Sequence, residues 1–337
     1  MKNFKIAGSR IVKTGLSVFL TAWICVLLDW PPVFAVITAI VTIEPTVSDS
    51  IKKGVIRFPA SAIGSAYAVF FISLFGNSPL TYTLAAVLTI ATCYKLKLYS
   101  GLLVATLTAV AMVEVIHSNF LISFFIRLGT TTTGLVVSTV VNMIILPPDY
   151  TREITGGLQK VSGQTGIVVK KIYHHLLEKN NEVDITIENA INRLDTTIHK
   201  TGTLVRFQKE EAKYHPLAGS DKRKFEHAER QLVRLRLIHY HLNNVMQLPT
   251  ENINWSEEER LIIFEATDEL AEALIHKGSY NSNIHAEYLK KITHIFWKRN
   301  NTIPEDTTNF PPEYVILYEL VSIYNLAANE YKKDRDI

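Results

Sequence analysis

The chain has 337 residues, 47% of them apolar and 20% charged, with a formal net charge of +3 at pH 7. Two halves are hidden in those averages: residues 1–150 carry ten Lys/Arg against five Asp/Glu, whereas residues 151–337 carry 25 against 27. The basic excess is spread over loops between apolar segments and only two cysteines are present, Cys25 and Cys93, which excludes a basic nucleic-acid face and a disulfide framework.

A basic start, Lys2 to Lys13, leads into the first apolar segment. A cleaved signal peptide begins the same way. Here Asp29-Trp30-Pro31-Pro32 is a poor cleavage context and five more apolar segments follow, so the first is read as a retained span. The six segments run over Ile11–Leu28, Pro32–Ile43, Val55–Leu74, Leu80–Tyr94, Gly101–Ile116 and Phe120–Leu146. Several fall short of the roughly 20 residues that a straight span needs, which implies tilt or protein-lined ends. Pro45 and Pro59 flank the second loop and are expected to break helices there.

Loop charge sets an orientation. Lys2, Lys5, Arg10 and Lys13 flank the first segment, Lys52 and Lys53 follow the second, and Lys95 and Lys97 follow the fourth. The alternate loops, Asp29–Pro31, Gly76–Pro79 and His117–Asn119, have no Lys or Arg. Basic loops stay in the cytoplasm, so both termini are expected there.

The apolar half also repeats itself at an offset of 70. Thr38–Glu44 aligns with Thr108–Glu114, Arg57 with Arg127 and Gly64 with Gly134, and residues 35–64 share eight identities with 105–134. Two of the matches are charged residues inside apolar sequence. Internal similarity of this kind is typical of transporters. Three segments per copy is an odd number, so the second copy is expected upside down, an inverted 3+3 arrangement.

Ionisable groups in a span are expensive and normally face protein or water. Arg127, about seven residues into the sixth segment, has two readings: a guanidinium that coordinates an anionic substrate with paired hydrogen bonds, or an internal ion pair with Glu114 or a snorkelling side chain. Arg57 reads either as its mate or as an anchor at the basic face. Glu44 and Glu114 end the second and fifth segments and suit coupling or gating at each mouth, or structural pairing with the arginines. Ser61, Gly64 and Ala68 form a stripe of small residues matched by Thr131, Gly134 and Ser138. Such stripes pack helices closely and could also line a pathway, as could Thr130-Thr131-Thr132-Thr133.

Beyond Pro147-Pro148, Thr151 is a candidate cap for the next helix. Leu158, Val161, Thr165, Val168, Ile172 and Leu176 then recur at helical spacing, as do Leu232, Leu235, His239, Leu242 and Met246. Further helices are expected near 184–212, 256–276, 283–298 and 312–332, an all-α bundle. The pairs His174-His175 and His239/His241 do not put two rings on one helix face, so no metal site is expected. Asp195 and His199 share a face as a surface pair. The runs Asp221–Lys224 and Lys332–Asp336 read as solvated charge.

The basic start through Lys13-Thr14, the Glu44-Pro45-Thr46 step, Arg57-Phe58 with Gly64, and Arg127 with Gly134 closely resemble the aromatic acid exporter family of Gram-positive bacteria, within the fusaric-acid-resistance-like superfamily. The likeness covers nearly the whole chain. It implies an efflux transporter for small aromatic carboxylates with no catalytic residue. The superfamily is also similar to plant aluminium-activated malate transporters, dimeric anion channels with six spans and a helical cytosolic domain.

Taken with the residues, this predicts an all-α membrane protein of the cell membrane: a six-span transport domain over 1–150 and a cytoplasmic helical domain over 151–337. The expected activity is proton-coupled export of organic anions by a homodimer in the lipid bilayer, with Arg57 and Arg127 binding substrate and no cofactor, metal, enzyme activity or nucleic-acid partner. The alternatives are a passive organic-anion channel, or a membrane-anchored scaffold or sensor that works through its C-terminal domain.

Overall fold

The computed structural model describes residues 8–115, 119–145, 147–178, 185–248, 253–300 and 311–332. Lys2, Lys5, residues 116–118, Leu146 and the charges from Lys333 onward, all invoked above, lie outside the described residues. Among those described there are twelve α-helices, two single 3-10 turns and no strand. The chain divides into two compact units, Met1–Asp149 with Phe207–Pro216 and Tyr150–Arg206 with Leu217–Ile337.

The first unit contains α1 (Ser9–Leu27), α2 (Pro32–Thr42), α3 (Val47–Phe75), α4 (Pro79–Lys95), α5 (Leu102–Val115) and α6 (Phe120–Ile144). By length and composition, α1, α3 and α6 are able to cross a membrane. At 11, 17 and 14 residues, α2, α4 and α5 rise only about 16–26 Å, short of a hydrocarbon core about 30 Å thick. What they bury is the reverse of a water-soluble fold. Ser17, Thr21, Thr38, Thr42, Ser61, Ser65, Thr89, Thr131 and Ser138 are inside, while Phe19, Trp23, Val55, Phe70, Leu103, Leu121 and Phe125 are exposed. Lipid tails are as apolar as leucine, so nothing drives large apolar side chains inward. Helices associate instead through small residues that let backbones meet.

Two expectations about α3 fail. The helix begins at Val47, eight residues before Val55, because the Thr46 hydroxyl accepts from the Asp49 amide (3.0 Å) and caps it, with Asp49 favourably placed against the helix dipole. Lys52 and Lys53 are therefore helical rather than in a loop. Pro59 lies within α3 and does not end it. A proline removes one backbone donor, and packing on both sides holds the helix through that gap. Pro45, by contrast, does lie in the non-helical link between α2 and α3.

Contacts along the helices give their directions. Ser50 meets Asn142 (2.9 Å), a Cβ on Gly54 would lie 3.7 Å from Leu135, and Ser61 meets Thr131 (3.3 Å), so α3 and α6 are antiparallel. Gly101 lies against Ala60 and Gly64 against Ala105, so α5 runs parallel to α3. In the same way Gly134 lies against Ala35, and Ser138 bonds the Ala39 carbonyl (3.1 Å), so α2 runs parallel to α6.

In α1 and α4 the sequence offset of 70 gives way to one of 68. Lys13, Ser17, Thr21 and Cys25 are the buried face of α1, and Thr81, Ala85, Thr89 and Cys93 that of α4. Both helices end alike. Asp29 and Lys97 take left-handed φ of 54° and 58°, and the amides of Trp30 and Leu98 each reach back 2.8 Å to the carbonyls of Cys25 and Cys93. A 3-10 turn, Tyr99–Gly101, then lengthens the second link and restores the offset of 70.

The second unit is a bundle of α7 (Thr151–Leu177), most of α8 (Ile185–Glu211), α9 (Gly219–Met246), α10 (Glu257–Ile275), α11 (Ser282–Asn300) and α12 (Pro312–Lys332). Its core is that of a water-soluble protein: Ile154, Leu158, Val161, Val168, Ile172, Leu194, Leu235, Ile263, Leu270, Ile292, Leu320 and Ile323 form part of one cluster. α7 packs on α9 and α10, α9 on α12, and α11 on α10 and α12. Tyr150 holds the cap position before α7 and Thr151 is its first residue, so Thr151 is not the cap. On α9 the core face is Leu232, Leu235, Ile238, Leu242 and Val245. His239 and Met246 are flanking, since a one-residue rotation lets the two β-branched side chains take their places.

Candidate functional site

Two arginine clusters lie on opposite sides of the Ser61–Thr131 crossing of the antiparallel α3–α6 pair. At the first, Arg57 is 6% exposed and every guanidinium nitrogen is used. Nη2 donates to Glu44 Oε1 (2.8 Å), Nη1 to the Val41 carbonyl (3.0 Å) and Nε to the Ser100 carbonyl (3.2 Å). Lys53 donates to the other Glu44 oxygen at 2.8 Å. The first two acceptors come from the end of α2 and the link after it, where the helix leaves carbonyls without internal partners.

The same end holds a second polar group. Lys13, 4% exposed, donates to Asn142 Oδ1 (2.8 Å), and Asn142 Nδ2 donates to Ser50 Oγ (2.9 Å) and the Glu44 carbonyl (3.2 Å). The last turn of α8 completes it. Glu211 accepts from the Val47 amide (3.1 Å) and pairs with His215 (2.8 Å), while Glu210 accepts from Ser48 (2.7 Å), Lys213 (3.0 Å) and Lys52 (3.2 Å). The Ser48 hydroxyl, followed by the two lysines, pulls the Glu210 carboxyl down to about 2.

Arg127 is as deeply buried, at 4% exposed, yet differently supplied. Nη2 donates to the Thr108 hydroxyl, and the guanidinium lies 4.2 Å from the centre of the Phe34 ring. Nε and Nη1 have no partner. A cavity of about 70 Å³ opens beside it, lined by Pro31, Phe34, Met112, Ser123, Ile126, Arg127 and Thr130. Two residues along, the Trp30 ring packs on Gly129, where a Cβ would come within 2.6 Å of it. Glu114 does not pair with Arg127; it accepts from Tyr82 Oη at 2.7 Å. A buried cation without a counter-charge is costly, and Arg127 is the one charged residue among those that line this small, mostly apolar space.

Ser61, Gly64, Thr131 and Gly134 lie where α3 and α6 meet their neighbours. Ser65, Thr130, Thr131, Thr132, Thr133 and Ser138 each donate to a carbonyl three or four residues back in their own helix. That satisfies the hydroxyls within the packing, and of the threonine run only Thr130 borders the cavity.

In the second unit Asp195 and His199 form an exposed pair at 3.9 Å, His174 meets Asp268 at 2.7 Å and His241 bonds Glu319. No group of three or more metal-ligating side chains occurs among the described residues. Sequence reasoning did not single out Phe34, Tyr82, Thr108, Asn142 or Glu211. Only Asn142, a lone amide in an apolar run, carried a signal of its own.

Residues 5–145 match the family model described as aromatic acid exporter family member 1. A UPF0421 protein of Oceanobacillus iheyensis is 49% identical over 338 residues, which span 98% of this chain and 97% of that protein. UPF0421 proteins of Bacillus thuringiensis and Staphylococcus haemolyticus are 40% and 36% identical, each over 97% of this chain and over 93% and 97% of their own length.

Proposed function

Since the chain belongs to the UPF0421 family and, through residues 5–145, to the aromatic acid exporter family, we propose that it exports small aromatic carboxylates, with Arg127 holding the carboxylate. It is a membrane protein of an exporter family. The observation that carries the substrate reading is the Arg127 guanidinium, buried beside a cavity with two nitrogens unpartnered. A carboxylate accepts two parallel hydrogen bonds from one edge of a guanidinium, and the edges of Arg127 each pair one of the free nitrogens with Nη2, which keeps a second hydrogen. The Phe34 ring, one face of which carries the Arg127 guanidinium, lines the same cavity and gives an aromatic acid an apolar wall to pack against.

In this reading all six helices of the first unit cross the bilayer as an inverted 3+3 repeat. The short helices are accommodated by tilt and by neighbours that cover their ends. Antiparallel α3 and α6, and contacts that recur after a shift of seventy residues, support it. The Lys52/Lys53 end faces the cytoplasm with both termini and the second unit, as positive-inside logic asks. Arg57 is the cytoplasm-facing counterpart of Arg127, closed here on Glu44. Glu44 and Glu114 gate the two mouths and couple export to protons, and a homodimer provides the wall that six helices leave thin.

Flux through proteoliposomes tests this. A radiolabelled aromatic acid of the benzoate type should accumulate against its gradient when a pH gradient is imposed, and a protonophore should abolish that. Downhill flux indifferent to the pH gradient identifies a channel, and no flux removes the transport reading.

A further inference from the structure

The two copies pack alike and pair differently. Gly64 lies against the Ala105 carbonyl and Gly134 against the Ala35 carbonyl, each residue and each carbonyl shifted by seventy. Shifted by seventy, Arg57 becomes Arg127, Glu44 becomes Glu114, the Val41 carbonyl becomes that of Ala111, and Lys53 becomes Ser123. Arg57 reaches Glu44 and Val41. Arg127 instead reaches Thr108, six residues before Glu114 on α5 and so about 9 Å deeper along that helix. Meanwhile the Tyr82 hydroxyl holds Glu114. At offset 68 the counterpart of Tyr82 is Thr14, whose hydroxyl goes to the Arg10 carbonyl (2.8 Å). Thr14 therefore does not hold Glu44 away from its arginine as Tyr82 holds Glu114; Glu44 is held on Arg57, with Lys53 on its other oxygen.

Resting on the exporter reading, we propose that Glu114 is an internal competitor of the substrate carboxylate. It leaves Tyr82 and closes on Arg127, while Glu44 leaves Arg57. The Glu44–Arg57 pair already shows what a carboxylate seated on this arginine looks like, with two oxygens shared between Arg57 and Lys53. In the exchanged arrangement Arg127 turns outward to Glu114 and the Ala111 carbonyl, the Ser123 side of the cavity is covered, and the cargo is displaced by a group of its own chemistry. Arg57 is then freed for a carboxylate at the other end. Two like pairs that alternate, one closed and one open, produce alternating access from a single sequence motif. Tyr82 is a positioning residue in this scheme, because it keeps Glu114 off Arg127 while cargo is bound.

The test uses the full chain in cells with Cys25 and Cys93, both buried, replaced by alanine and a reporter introduced by Ser123→Cys. A membrane-impermeant maleimide is applied from outside. Glu44→Gln loosens the Arg57 pair and Tyr82→Phe releases Glu114, so each should slow labelling roughly fivefold or more, the lower end of usual coupling between sites. Glu114→Gln added to Tyr82→Phe should restore the rate, because the carboxylate that covers the cavity is gone. Unchanged labelling in both single variants at wild-type membrane levels overturns the proposal, as does a slow double variant. Labelling needs no cargo, so the two readings separate. Responsive labelling without wild-type export defeats the exporter reading alone, and export with unresponsive labelling defeats the exchange alone.

Discussion

Ser61 and Thr131 are seventy positions apart and their hydroxyl oxygens lie 3.3 Å from each other where α3 crosses α6. In the proposed inverted repeat, equivalent residues touch only at the axis that relates the copies, and this contact is the one such an axis requires. The Gly64–Ala105 and Gly134–Ala35 approaches flank this point as a reciprocal pair. A Cβ on Gly134 would come 2.5 Å from the Ala35 carbonyl oxygen, which is backbone and cannot step aside. Gly64→Ala and Gly134→Ala are each expected to cost about 1–3 kcal/mol, as overpacking does. Gly15→Ala, where a Cβ would meet nothing within 4 Å, should be neutral or slightly stabilising. Thermal unfolding in detergent compares the three.

The last turn of α8 gives a second prediction. Glu211 is buried and serves the Val47 amide, so Glu211→Ala should cost about 1–3 kcal/mol by stranding that donor. Glu210 is more exposed, and Glu210→Gln should cost less. Its folded pKa lies below the unfolded carboxylate value, so its contribution is complete above that value and fades as pH falls toward about 2. The melting difference between wild type and Glu210→Gln should therefore stay constant from pH 8 to pH 5. A difference that shrinks within that window contradicts the assignment.

A third concerns the bundle. Leu235 is fully buried in its core while Leu237, two residues on, is exposed. Leu235→Ala should lower stability by about 2–5 kcal/mol, and Leu237→Ala by less than about 0.5 kcal/mol. Calorimetry of the purified protein distinguishes them, and equal effects would mean that the α9 core face is misassigned.

Much of this was legible in the chain. Spacing located the helices, and Arg127 stood out because charge is rare in apolar sequence. The start of α3 was missed because Val47–Gly54 is polar, and a capping hydroxyl rather than hydropathy begins that helix. The shift to 68 in α1 and α4 was hidden because only buried small residues register it, and their exposed neighbours diverge freely. Lys13 looked like loop charge, since nothing in its own neighbourhood points to a partner 129 positions away at Asn142. The unequal pairing of Glu44 and Glu114 depends on Lys53 and Tyr82, neither of which has a like residue in the other copy.

The central claim is that Arg127 is free to take a carboxylate while Arg57 is occupied by the protein. Removing Arg127 strands no partner except the Thr108 hydroxyl, whereas removing Arg57 leaves Glu44, Val41 and Ser100 short of a donor. Arg127→Ala should thus fold and insert like wild type, Arg57→Ala less well. The most direct measurement is export of a labelled aromatic acid by Arg127→Ala and Arg127→Lys at matched membrane levels. The account predicts a loss of about tenfold or more for alanine, the value of a charge-assisted hydrogen bond, with partial activity for lysine, which keeps the charge without the fork. Wild-type export by well-inserted Arg127→Ala would contradict it.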